Sequence, residues 1–208
     1  MSGGGLRYDR LPLHGRNEWL TVVGPDEAPT LLVLPPLFEE LNRTRALLLQ
    51  TMRALAGLGW RCVLPDLPGT GESETGLEAV EWRHWRDAAI AAAEGAVATF
   101  SVRGGALLDD VTQRRWRLSP VAGAALVRDL ERTALTGASG YTPSAALLEA
   151  LREALPAPGD VRTARLASDP APAHVRFEGP PLWRRSEPAG SPALAAAIAA
   201  WIGPCAAS

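Results

Sequence analysis

At 208 residues, 47% apolar and 21% charged, the chain suits a single globular domain, 1–208, with a real core. A formal net charge of −2 gives no general attraction to nucleic acid or to a membrane surface, and no apolar run approaches the roughly 20 residues of a membrane span. The two cysteines, Cys62 and Cys205, make no disulfide framework, and with no apolar leader in Met1–Gly5 they point to a reducing, cytoplasmic compartment.

In chain order, Leu6–Leu11 reads as a weak strand and Glu18–Val23 as a stronger one, followed by a turn at Gly24-Pro25-Asp26. Thr30–Leu34 is a continuous apolar run of the kind buried on both faces of a sheet. Pro35-Pro36 ends it. Leu37–Arg45 reads as a polar loop running into a helix that continues over Ala46–Ala56, with Gly57 and Gly59 stopping it. Trp60–Leu64 is the next strand, Pro65–Ser73 a loop, Leu77–Glu94 a long helix and Ala96–Val102 another strand. The chain then turns sharply at Arg103-Gly104-Gly105 into a small-residue helix. Further on, the pattern gives strand Arg115–Pro120, helix Val121–Thr133, loop 137–143 and helix Ser144–Leu155. Strands Asp160–Ala167 and Ala173–Glu178, loop Gly179–Trp183 and helix Pro192–Ile202 complete it. The alternation predicts βαβ units and a mainly parallel sheet, with Thr30–Leu34, Trp60–Leu64 and Val97–Val102 as neighbours.

Strand, tight turn and helix over Thr99–Leu108 is the setting of a nucleophile elbow, in which G-x-S-x-G raises a serine above a sheet. Here Ser101 takes the first glycine position, Arg103 the nucleophile position and Gly105 the last glycine. A guanidinium stays protonated and cannot attack a carbonyl. An ordinary glycine-rich turn after a strand is the plain alternative.

Three motifs together resemble the exosortase A system-associated hydrolases, α/β-hydrolase-like proteins of bacterial exosortase and exopolysaccharide loci. They are the Pro35-Pro36-Leu37-Phe38-Glu39-Glu40-Leu41-Asn42-Arg43-Thr44-Arg45 loop, the Asp66-Leu67-Pro68-Gly69-Thr70-Gly71-Glu72-Ser73 loop, and the arginine-centred elbow. Further matches run from Trp82 to Asp87 and over Ser119-Pro120-Val121, Gly140-Tyr141 and Gly179–Trp183. The resemblance implies an α/β-hydrolase fold, a twisted parallel sheet flanked by helices with little or no lid. A hydrolase activity inferred from such a fold rests on analogy.

A Ser–His–acid triad needs a nucleophile at the elbow, an acid after a late strand and a histidine after the last strand. The elbow offers Arg103. Asp169 matches the acid position, although Ser168-Asp169-Pro170 is also a common turn sequence. The loop Gly179–Gly190 has no histidine. His14, His84 and His174 fall at positions more often structural than catalytic. Ser73 reads as a cap, and Ser101 points into the sheet layer. No metal-ligand spacing and no phosphate-binding loop is present, so the sequence calls for neither a metal nor a cofactor.

In this fold the loop after the third strand lies beside the elbow. One or both of Glu39 and Glu40, with Asn42 as a further candidate, therefore belong opposite Arg103, in bidentate guanidinium–carboxylate geometry. A structural ion pair is one reading. The other is a recognition site in which Glu39, Glu40, Asn42, Arg103 and the Gly104 amide hold a small anion, such as a carboxylate, a phosphate or an acidic sugar. Two functions stay open: a non-catalytic binder, or an esterase or thioesterase on an acyl or sugar substrate. The second would use Glu39 or Glu40 as general base and Arg103 as electrophile, with Asp169 the remaining acid candidate. A bare scaffold is a third.

Overall fold

The computed structural model describes residues 5–135 and 140–205. The predicted loop 137–143 therefore divides: Gly137–Ser139 lie outside the described residues, and Gly140 onward lies within them. Strands β1 (Arg7–Leu13) and β2 (Arg16–Val23) form a hairpin. Its turn is His14-Gly15, both at positive φ, +49° and +77°, which is the backbone of a type I′ turn. That turn extends β1 two residues beyond its predicted end. Strand β3 (Thr30–Leu34) leads into helix α1 (Glu39–Ala56), and strand β4 (Arg61–Pro65) into helix α2 (Trp82–Ala92). Then come strand β5 (Ala96–Val102), strand β6 (Arg115–Leu118), helices α3 (Gly123–Leu135) and α4 (Ala145–Glu153), strands β7 (Val161–Leu166) and β8 (Val175–Phe177), and helix α5 (Pro192–Ile202).

All eight strands form one sheet in the order β1-β2-β4-β3-β5-β6-β7-β8. β2 runs antiparallel to β4, and β3 lies parallel between β4 and β5 as predicted. Alternation along β3 divides its burial between two cores. Leu31 and Val33 join α1 and α5 on one face, while Leu32 and Leu34 join α2, α3 and α4 on the other. Trp60 and Trp85 tie the faces to loops, with indole N–H groups donating to Gly203 O at 3.0 Å and to Pro68 O at 2.8 Å. This strand order, with helices on both faces, is the α/β-hydrolase fold.

Three expectations need correction. The helix predicted after the elbow is one short 3₁₀ segment, Arg103–Leu107. Asp109 stops it: the buried carboxylate is pulled back under the sheet end by Ser101 and Arg117. The predicted helix Leu77–Glu94 is a 3₁₀ turn at Leu77–Ala79 followed by α2. Glu81 and His84 form a reciprocal cap that fixes the true start, so His84 is a capping residue. Finally, Glu39 and Glu40 lie in the first turn of α1, not in a loop before it, because Phe38 at φ +57° reverses the chain immediately before the helix.

Candidate functional site

The elbow tip keeps its special backbone. Arg103 sits at φ +53°, a conformation that costs a non-glycine residue of order 1–3 kcal/mol. Gly105 makes this possible, since a Cβ there would lie 2.5 Å from the backbone oxygens of both Leu34 and Pro35. The elbow thus packs backbone to backbone against the end of β3. Gly104 is buried beneath Leu37 and Leu126, whose side chains a Cβ would strike at 3.0 and 2.7 Å.

Arg103 is 8% exposed and paired with Glu40. Its Nε donates to both Glu40 oxygens at 3.2 Å, and its Nη2 to Oε1 at 2.9 Å. Nη1 donates to Ser119 O at 3.4 Å, and the guanidinium stands 5.1 Å from the Trp183 ring centre. A guanidinium carries five N–H groups, so one N–H remains on each terminal nitrogen. Burial pushes the Glu40 carboxyl above the usual range, against the pull of Arg103; the Asp129 charge adds to the rise.

Behind the elbow lies a second charge cluster that sequence reasoning missed. Asp109, fully buried, receives Arg117 Nε and Nη2 at 2.7 Å each and the Ser101 hydroxyl at 2.7 Å. Ser101 therefore points into the sheet layer, as expected, and serves as a donor to Asp109. The available signal was Arg115 and Arg117, charges alternating in an otherwise buried strand.

Above Arg103 opens a cavity of about 480 Å³. Leu37, Phe38, Leu126 and Trp183 form its apolar surface. Arg43, Arg132 and Arg184 stand at its charged wall with Glu39 and Asp129. Of these arginines, Arg43 lies 3.6 Å from Glu39 and Arg132 2.9 Å from Asp129. Arg184 is exposed, with no such partner among the described residues.

The expected residues divide as follows. Glu40 meets Arg103 directly. Glu39 lines the cavity but turns to Asn42 and Arg43. Asn42 donates to Glu39 at 3.2 Å and to the Tyr141 hydroxyl at 3.0 Å, and it and Gly104 are not part of the cavity wall. Burial raises the Tyr141 phenol, with Glu39 adding to the rise. Asp169 lies in the turn after β7, accepting from Arg165 at 2.7 Å and from the Ala171 amide at 3.0 Å. Burial works against its charge, but these two donors hold its carboxyl below the usual range. Ser73 Oγ accepts from the Gly69 and Thr75 amides. His174 Nδ1 accepts from the Thr163 amide at 3.0 Å, and none of the three histidines lines the elbow cavity.

No family model matches the chain, and no curated protein does. Among solved structures, the thioesterase domain from the curacin biosynthetic pathway is similar at a TM-score of 0.60 and 13% identity, over 95% of this chain and 99% of that one. An epoxide hydrolase from Vigna radiata is similar at TM-score 0.44 and 20% identity over 55% of this chain, and epoxide hydrolase A from Mycobacterium thermoresistibile at 0.45 and 19% over 64%. The chain spans 40% and 46% of the lengths of those two enzymes. The curacin domain shares the fold along nearly the whole chain, and at this identity the likeness concerns the fold alone.

Proposed function

We propose that this chain is an α/β-hydrolase-fold binding protein without serine-hydrolase chemistry, whose elbow cavity takes a small anion carrying an acyl or sugar body. The observation that carries this is the elbow tip itself. A strained turn that would present a nucleophile presents a buried guanidinium, with two N–H groups left over beneath an amphipathic cavity. A carboxylate or phosphate suits those donors and the arginines at the wall, and Leu126 and Trp183 suit an apolar or sugar body. On the strength of the loop and elbow motifs we extend the proposal to a cytoplasmic role linked to exosortase or exopolysaccharide systems.

One observation favours a second reading. A carboxyl held above its usual range beside a fixed cation is a workable general base, and Glu40 fits that description. It would draw a proton from water while Arg103 steadied the developing oxyanion.

Three assays on the purified chain separate them. Binding of alkyl carboxylates and alkyl phosphates, followed calorimetrically, should saturate, and Arg184→Ala at the exposed rim should weaken it. A panel of esters and thioesters should show no turnover, and a fluorophosphonate probe should not label the protein. Turnover lost in Glu40→Gln would establish the second reading. Stoichiometric labelling removed by changing Ser73 or Ser101 would overturn both and identify a displaced serine nucleophile.

A further inference from the structure

A second cavity, of about 220 Å³, opens beneath the β1–β2 hairpin beside the start of α2. It shares no lining residue with the elbow cavity, and the proposal above makes no use of it. Glu18 lines it. This residue is 3% exposed, and its Oε2 is buried with no hydrogen-bond partner. Native interiors satisfy nearly all such atoms, because a buried acceptor without a donor is costly. Burial raises the Glu18 carboxyl above its usual range. The Ser73 and Thr75 hydroxyls work against that rise, Asp66 adds to it and Arg16 opposes it.

The groups around Glu18 have a definite polarity. Arg16 lies two residues before it on β2, so both side chains leave the same face, roughly 7 Å apart along the strand. Arg16 is exposed and makes no hydrogen bond or ion pair among the described residues. His84 Nδ1 accepts from the Glu81 amide at 3.0 Å, which puts the ring proton on Nε2 as a donor. His14, at the rim, is already engaged by Asp87 at 3.0 Å. Leu13 and Pro68 supply apolar wall. A deep carboxylate with one oxygen left without a donor is therefore faced by an outer guanidinium and an imidazole N–H.

We infer that this cavity binds a small zwitterion of the α-amino acid type, its ammonium on the Glu18 carboxylate and its carboxylate between Arg16 and His84 Nε2. A simple anion would meet Glu18 head on. A metal ion would lack ligands, since no group of three or more His, Cys, Asp or Glu suited to one occurs among the described residues. A neutral alcohol would use neither charge. The volume limits the ligand to a short side chain.

Alanine is the probe, with ethylamine and propionate as its two halves. Titration of the full chain followed by NMR should show saturable alanine binding in the millimolar range. Each half should bind about tenfold or more weaker, the loss of one charge-assisted hydrogen bond. Arg16→Ala removes an exposed side chain and should keep the fold; it should weaken alanine about tenfold and leave ethylamine unchanged. Glu18→Gln should lose both amines. If Glu18→Gln does not fold, the contrast between alanine and ethylamine in Arg16→Ala decides the matter alone. Absence of saturable alanine binding, or alanine binding unchanged by Arg16→Ala, overturns the site.

Discussion

Replacing Arg103 by alanine tests the elbow most directly. The side chains of Arg103 and Glu40 are only 10% and 15% exposed, so the pair is little screened. Breaking a buried pair by removing one partner typically costs about 3–5 kcal/mol. The backbone strain at φ +53° is the same for alanine and drops out of the difference. One route limits the loss: an unpaired Glu40 can take a proton, and burial already favours its neutral form. The low end of the range follows, about 3 kcal/mol near neutral pH, or a melting temperature lower by roughly 6–12 °C for a chain of this size. The sign with pH follows from linkage. Glu40 titrates above its ordinary 4.5 in the folded state, so the native protein holds that proton longer, and stability falls as pH rises through this range. Without Arg103 the folded-state value rises further and the window extends upward. The penalty in Arg103→Ala should therefore be small near pH 4.5 and grow towards pH 8. Urea unfolding of the wild type and of Arg103→Ala, Glu40→Gln and the double variant measures both the cost and the coupling. Arg114→Ala, an exposed arginine over Trp116, should change stability by no more than about 0.5 kcal/mol. Equal, small effects from Arg103→Ala and Arg114→Ala, or a penalty that does not vary with pH, would refute the reasoning.

Asp109→Asn should be at least as damaging as Arg103→Ala, about 3–5 kcal/mol, because Arg117 is left facing an amide at the fully buried hub; a urea midpoint close to wild type would show that the cluster is dispensable. Gly105→Ala should give insoluble or strongly destabilised protein, since the new methyl meets the backbone oxygens of Leu34 and Pro35 and no side-chain rotation relieves it; soluble expression with unchanged melting would contradict this close approach. Burial pushes the Cys62 thiol up to about 12, so a disulfide reagent at pH 8 should not modify Cys62 until the protein is unfolded, with any native-state labelling on Cys205. Arg103→Ser should not gain fluorophosphonate labelling, because no histidine reaches the elbow cavity to activate the new hydroxyl.

Local pattern was enough for the sheet and for the pair at its centre. The short apolar runs at Thr30–Leu34 and Ala96–Val102 cannot be hidden except between neighbours and helix layers, and that requirement fixed their parallel pairing. The elbow motif and the fold it implies then set Arg103 opposite Glu39, Glu40 or both, a guanidinium facing a carboxylate across the end of β3 and β5. What the sequence did not show is where each neighbouring polar group turns. Glu39 and Glu40 are adjacent in the chain, yet a helix separates successive side chains by about 100°, and the positive φ at Phe38 decides which of them meets Arg103. Nothing local marks Asp109; it becomes a hub only when Ser101 and Arg117, on two different strands, converge on it. Glu18 likewise is only the first residue of a predicted strand until the assembled hairpin and its neighbouring loop bury it. Strand and helix identity follow from hydrophobic period, which is local. The partners of a buried charge are set by how the elements pack, because only the assembled layers remove the water that would otherwise satisfy it.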